Sequence, residues 1–199
     1  MKWQKNVCRS YTLQTLFVYP IKEESLMNFK KLPLWEYITY STIIIGGILI
    51  DQLTKILSTL YLKPIGSVPI IKNVLHLTYV RNPGAAFGML ANQRWIFMVI
   101  STVAIIGMAI YLFSGMSQNK LYSVSLAIVI SGGIGNMIDR VALGYVVDFI
   151  DFCLIDFAVF NGADSFVCVG AGLLVLWYIL EEVKNYKSKK AEKTEETNK

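Results

Sequence analysis

Six aspartates lie between the ends of this chain, at positions 51, 139, 148, 151, 156 and 164. All eight glutamates lie outside that window, at or before Glu36 and at or after Glu181. The glutamates stand where solvated surface is expected. The aspartates stand inside apolar segments or at their outer ends. An ionised Asp at the centre of a membrane helix costs about 2.5–3.5 kcal/mol on insertion scales and less toward the edge, so function is the default reading of such a group. The stretch "VFNGADSF", Val159–Phe166, puts the matter sharply, because Asp164 stands at the mouth of an apolar run that continues from Val167 to Leu180. Two carboxylates held close cannot both ionise cheaply, so one keeps a proton. The ionised member can then deprotonate a water that attacks a peptide carbonyl. The protonated member can polarise that carbonyl and deliver a proton to the leaving amine.

Other chemistries find less support. His76 is the only histidine and lies in a strand-like segment, away from any GxSxG-type elbow. The chain has neither an HExxH motif nor a Gly-rich phosphate loop. Cys8, Cys153 and Cys168 lack CxxC spacing and are odd in number, which points to neither a zinc site nor a disulfide framework. Cys168 reads as a small apolar helix residue.

Five of the six aspartates also have a plain structural reading. Asp51 is followed by Lys55 at i+4, the spacing of a helical ion pair. Asp139 and Arg140 can anchor a helix end at the membrane interface. Asp151 and Asp156 read as loop carboxylates. Asp164 can serve as an N-terminal charge favoured by the helix dipole, worth about 0.3–1 kcal/mol. Asp148, inside "YVVDFIDF", has no such role. Asn136 and Asp139 are spaced i,i+3, as are Asn161 and Asp164, so each pair can share one helical face or turn.

The elements that must position these groups are apolar. Of 199 residues, 54% are hydrophobic and the mean hydropathy is +0.49, too apolar for an ordinary soluble domain. Four runs approach the roughly 20 residues that cross a bilayer, at about 37–60, 95–113, 121–138 and 163–181. The predicted fold is therefore a mainly α membrane protein with four transmembrane helices. Outer-face segments follow at 61–94 and 139–162. In the first, β-branched and aromatic residues from Ile70 to Val80 are bracketed by Gly and Pro and predict short strands. The second fits an interfacial strand or half-buried loop. "GGIGN" at Gly132–Asn136 lies inside a predicted span, where small residues permit close helix packing.

The net charge of +5 does not point to nucleic acid. Basic residues gather at Lys30 and Lys31, at Lys120 and in the tail, so the positive-inside rule puts both termini and the 113–121 link in the cytoplasm. Residues 27–183 form the predicted membrane domain. The 184–199 tail reads as a charged cytoplasmic segment, disordered or lying at the lipid surface. Residues 1–26 read as a non-native or disordered extension, with translation beginning at Met27 of "MNFKKLPLWEY".

Five blocks in order resemble the lipoprotein (prolipoprotein) signal peptidases, or signal peptidase II family. They are "DQLTK" at Asp51, "RNPGAAFG" at Arg81, "GGIGNMIDR" at Gly132, "GYVVDF" at Gly144 and "FNGADS" at Phe160. The resemblance covers roughly Leu34 to Leu180. It implies that Asp148 and Asp164 are the catalytic aspartates. It implies too that Asp51, Asn82, Asn136, Asp139, Arg140, Asn161 and Ala163 shape the site, with Lys55 and Gly84 from the same blocks. The implied fold adds an outer-face β-cradle to the four spans. The implied activity is that of an aspartic endopeptidase in the bacterial cell (inner or cytoplasmic) membrane, with its site near the outer face. It would cleave a prolipoprotein's signal peptide just before the diacylglyceryl-modified Cys. The partners would be that precursor and membrane lipids, with no metal, no organic cofactor and no required oligomer. A small ion- or proton-coupled transporter is the alternative, although the chain lacks repeat symmetry and its carboxylates cluster toward one face. A non-enzymatic membrane assembly protein with structural Asp pairs is a further alternative.

Overall fold

A computed structural model describes residues 31–84, 94–117, 119–155 and 157–197. The expectations for residues 1–26, for Lys30 and for Asp156 lie outside the described residues, as does most of "GAAFG" after Gly84. Helix α1, Leu34–Leu57, continues as a π-helical turn over Ser58–Leu62. Strands β1 (Ser67–Ile71) and β2 (Leu75–Asn82) follow, then α2 (Arg94–Phe113) and α3 (Lys120–Ala142). The chain closes with β3 (Val146–Asp151), a 3-10 turn at Cys153–Ile155, and α4 (Gly162–Thr197).

The architecture is mainly helical with one small antiparallel sheet, ordered β1-β2-β3. Asn73, with φ of 60°, makes the tight turn between β1 and β2. Val80 pairs with Asp148 and Asn82 with Val146, so the strand holding Asp148 is registered directly against the end of β2. Gly144, with φ of 80°, takes the left-handed conformation that turns the chain from α3 into β3.

Helix α3 is central and packs on α1, α2 and α4. Tyr40, Leu112, Leu126, Ala127 and Ile130 form the apolar core toward its N-terminal half. The outward faces of the other helices carry exposed large apolar residues at helical spacing: Ile45, Leu49, Leu53 and Ile56 on α1, and Val99, Val103, Ile106 and Ile110 on α2. That pattern reverses a soluble helix and suits lipid. Small residues bring α3 and α4 together. A Cβ on Gly132 would collide with the Ala163 carbonyl and Val167, and one on Gly170 with Val129 and the Ser125 carbonyl. The "GGIGN" segment thus packs as the small-residue reading expects.

Among the described residues, three helices are long and apolar enough to cross a membrane: Leu34–Leu62, Lys120–Ala142 and Gly162–Ala191. The second predicted span, 95–113, is helical as α2, but its apolar part, Met98–Phe113, is shorter than the other three. The tail is helical rather than disordered, since α4 runs on to Thr197. Its Ala, Glu and Lys residues are good helix formers, and Glu181 pairs with Lys184 at 3.7 Å. Helix α3 also outruns the expected end at 138. Asp139 is consequently a helix residue, 3% exposed, rather than an anchor at the interface.

Candidate active site

The polar residues of α1, α3, β3 and α4 converge in one buried cluster beneath the sheet. Its foundation is an ion pair at the expected i,i+4 spacing, Lys55 Nζ to Asp51 Oδ2 at 2.8 Å, that is wholly buried and shared. Lys55 Nζ also reaches Asp139 Oδ2 at 3.2 Å and donates to Asn136 Oδ1 at 3.0 Å. Three ammonium protons thus meet three acceptors, which is the condition for a tolerable buried cation. Each carboxylate is then used again. Asp51 Oδ1 accepts from the Ala163 backbone N–H at 2.8 Å, tying α1 to the first turn of α4. Asp139 Oδ2 accepts from the Val147 N–H at 3.1 Å, tying α3 to β3. Gly135 is required beside them, because a Cβ there would strike the Asp51 carboxylate.

The first turn of α4 is a reciprocal cap. Asn161 Oδ1 accepts from the Asp164 N–H at 2.9 Å, and Asp164 Oδ2 accepts from the Asn161 N–H at 3.2 Å. This is capping-box geometry with Asn and Asp in place of the usual Ser or Thr and Glu. The plain reading of Asp164 as a helix-terminal charge therefore holds, and it fixes the carboxylate in place. Asp164 Oδ1 accepts from Asn136 Nδ2 at 2.7 Å.

Asp148 sits on β3, 1% exposed. Its Oδ1 accepts from Asn161 Nδ2 at 2.6 Å and its Oδ2 from Asn82 Nδ2 at 2.9 Å. Asn161 Nδ2 also donates to Asn136 Oδ1 at 3.1 Å. The side chain and backbone of Asn161 thus link the two carboxylates. Burial pushes the Asp148 carboxyl up to about 6, and the Asp164 charge adds to the push while the Asn82 and Asn161 amides and Lys55 oppose it. A carboxyl so placed exchanges its proton near neutral pH, as acid–base catalysis requires. Arg140 stands within electrostatic range of Asp148, Asp164 and Asp139. It donates to backbone carbonyls, to Asn136 O at 3.3 Å and Gly84 O at 3.5 Å. Those bonds are long; the first lies within α3, and the second holds α3 to the turn after β2.

Every candidate from the sequence thus enters one network: Asp51, Lys55, Asn82, Gly84, Asn136, Asp139, Arg140, Asn161, Ala163, Asp148 and Asp164. Gln52 was missed. Its Nε2 donates to Asp139 Oδ1 at 3.0 Å, the Gly135 carbonyl at 3.1 Å and Asp51 Oδ2 at 3.2 Å. The available signal was an uncharged amide beside Asp51 in an otherwise apolar run. Asp151 stands apart from the cluster. It ends β3 rather than lying in a loop, and its Oδ2 accepts from Thr78 Oγ1 at 2.7 Å.

A family model described as signal peptidase (SPase) II matches residues 43–180. The chain is 53% identical to a lipoprotein signal peptidase of Caldanaerobacter subterraneus over 133 residues, which is 67% of this chain and 89% of that protein. It is 43% identical to a lipoprotein signal peptidase of Brevibacillus brevis over 152 residues, 76% of this chain and 99% of that one. Among solved structures it is similar to a bacterial membrane enzyme determined by the in meso method at 2.3 Å resolution. There the TM-score is 0.67 at 32% identity, covering 80% of this chain and 96% of the other.

Proposed function

This chain belongs to the signal peptidase II family, and from that premise we propose that it removes signal peptides from prolipoproteins by an aspartic mechanism in which Asp148 and Asp164 share the work. The family makes it a hydrolase, a protease of lipoprotein processing, and its apolar helices make it a multi-pass membrane protein. One observation carries the finer reading: each oxygen of the two carboxylates accepts from a neutral amide donor, and the same asparagine, Asn161, serves both groups.

One carboxyl of the pair keeps a proton, and the ionised partner takes a proton from the attacking water. The protonated member hydrogen-bonds the scissile carbonyl, stabilises the tetrahedral intermediate and then protonates the leaving amine. Asn82, Asn136 and Asn161 orient the carboxylates. The Asp51–Lys55–Asp139 cluster and Arg140 hold α1, α3, α4 and β3 around them. The substrate in this reading is a precursor whose Cys carries a diacylglyceryl group, cleaved just before that Cys.

Four spans complete the fold, with α2 as the second. The basic residues at both ends put the termini in the cytoplasm of a bacterial cell and the cluster near the outer face of its membrane. There the sheet cradles the precursor and Asp164, at the mouth of α4, meets the scissile bond. The membrane domain is 27–183, and one copy is sufficient.

The test is cleavage of a purified lipidated precursor in lipid or detergent. Asn copies the shape of Asp but neither accepts the water's proton nor donates one with a suitable pKa. Asp148→Asn and Asp164→Asn should insert, fold and bind precursor, yet lose cleavage by several orders of magnitude. The double variant should be scarcely worse than either single one, because groups acting as a unit lose function non-additively. Turnover by either correctly inserted variant within about tenfold of the parent, about 1.4 kcal/mol of barrier, refutes the dyad.

A further inference from the structure

We propose that His76, Asp151 and Cys153 form a binding site for one zinc ion on the three-stranded sheet. Their ligand atoms, an imidazole nitrogen, a carboxylate oxygen and the thiol sulfur, all lie within 4.8 Å of one another. Nothing in the spacing of the sequence pairs them. The fold does so by placing His76 directly opposite Asp151 in the β2–β3 ladder, while Cys153 opens the 3-10 turn two residues beyond. Asp151 is three residues from Asp148, so strand alternation turns the two carboxylates to opposite faces of the sheet. Asp148 is buried and Asp151 only partly so. The zinc site is thus separate from the proposed dyad.

Two further features prepare the site. The Nε2 atom of His76 is buried and has no hydrogen-bond partner among the described residues. Buried polar atoms in folded proteins ordinarily have one, so the imidazole keeps a nitrogen uncommitted to the rest of the described protein. The Asp151 carboxylate is held from behind. Thr78 Oγ1 donates to Asp151 Oδ2 at 2.7 Å and is itself 2.8 Å from Ser67 Oγ. That is the kind of outer support that orients ligating carboxylates. The Cys153 thiol lies 3.8 Å from the Asp151 carbonyl oxygen, which keeps its sulfur folded toward the strand end.

The donor set selects the ion. Calcium and magnesium take oxygen ligands, whereas one nitrogen, one thiolate and one carboxylate suit zinc. Zinc bonds of about 2.0–2.3 Å put tetrahedral ligand atoms roughly 3.3–3.7 Å apart, so closure needs ligand-atom displacements of about 1 Å. All three residues are partly exposed, which gives the ion an entry path. On binding, the Cys153 thiol loses its proton to solvent and ligates as thiolate, and a water fills the fourth position. The ion then ties β2 to the end of β3 and to the turn after it.

Because His76 is the only histidine, tag-free protein gives an unambiguous test. Chelator-stripped, reduced protein is titrated with Zn2+ against a chromophoric competitor, and in parallel with Co2+. The expected result is one ion per chain and a thiolate-to-cobalt charge-transfer absorption. His76→Ala should weaken zinc binding by about tenfold or more, and Cys153→Ser should abolish the cobalt band. Cys168→Ser, on α4, should change neither. A second readout needs no variant: zinc should slow alkylation of Cys153 by about tenfold or more without protecting Cys168. The proposal is overturned by the absence of stoichiometric binding, by zinc affinity undiminished in His76→Ala, by a cobalt band that survives Cys153→Ser, or by Cys153 alkylation that ignores zinc.

Discussion

The hydrogen bond from Asn82 Nδ2 to Asp148 Oδ2, 2.9 Å long, gives the most discriminating test of the proposed site. It opposes the burial that holds the Asp148 carboxyl at about 6. A hydrogen bond to a charged group is worth about 1.5–3 kcal/mol, and each pKa unit is 1.36 kcal/mol, so its complete loss would raise the carboxyl by about one to two units. Water entering the space left by Asn82→Ala recovers part of that, which leaves about one unit, from about 6 to about 7.

The sign follows from which carboxyl holds the shared proton: the Asp164 charge raises Asp148, so in the proposed pair Asp148 keeps that proton and loses it on the alkaline side. At a given pH the variant keeps more of that proton, so the alkaline limb of kcat/KM moves to higher pH. The protonated fraction at pH 7 rises from about a tenth to about a half, a gain of about fivefold, while below about pH 5 the two enzymes converge. The assay is the pH profile of precursor cleavage, whose limb belongs to the Asp148–Asp164 pair rather than to one residue. A limb that stays in place or moves to lower pH would refute the reasoning. So would a uniform loss of rate at every pH, because Asn82 would then support the fold rather than the proton balance.

Two further perturbations probe the supporting groups. Lys55→Met leaves Asp51 and Asp139 buried without their cation, which costs about 3–5 kcal/mol; folded yield and thermal midpoint in detergent should fall, with partial recovery on adding Asp51→Asn, and a midpoint equal to the parent's would show that the cluster does not hold the helices together. Arg140→Lys keeps the charge but cannot reach both the Asn136 and Gly84 carbonyls; cleavage should fall by about tenfold or more, about 1.4 kcal/mol, and wild-type turnover would reduce the residue to a membrane anchor.

What the sequence exposes is local. Asn161 and Asp164 are three residues apart, so their shared helical turn is readable before any fold exists, and the capping box follows from that spacing. The Asp51–Lys55 pair is legible for the same reason. The strands are legible because β-branched and aromatic residues gather between turn residues, as in "LHLTYVRN". What depends on how distant elements meet is not readable. Lys55 reads as partnered by Asp51 alone, yet it also holds Asp139 on another helix. Gln52 carries no charge to draw notice. The pairing of His76 with Asp151 depends on a register interrupted between Leu77 and Val80. The tail reads as disordered or lying at the lipid surface because its composition is polar and charged; disorder does not hold through Thr197, since a long helix already formed through Leu180 spares the tail the nucleation that isolated segments must meet.

The position of Lys55 bears on how a dyad could keep one proton between two groups. A cation in direct contact favours the ionised form of a carboxylate and would bias the pair toward losing its shared proton. Among the described residues no Lys or Arg nitrogen lies within 4.0 Å of an Asp148 or Asp164 oxygen, and the ammonium is spent instead on Asp51, Asp139 and Asn136 Oδ1. Its influence reaches the dyad through an amide: Asn136 accepts from Lys55 at one end and donates to Asp164 at the other. Hydrogen bonds in such chains polarise one another, so the amide passes on part of the field without a cation at the carboxylate. Asn82 and Asn161 apply the same kind of neutral restraint to Asp148. Burial then favours the neutral form while the amides favour the charged one, and that opposition leaves a carboxyl near pH 6 able to change state during a reaction. On this reading, asparagine surrounds the pair because it is a strong hydrogen-bond donor with no charge of its own.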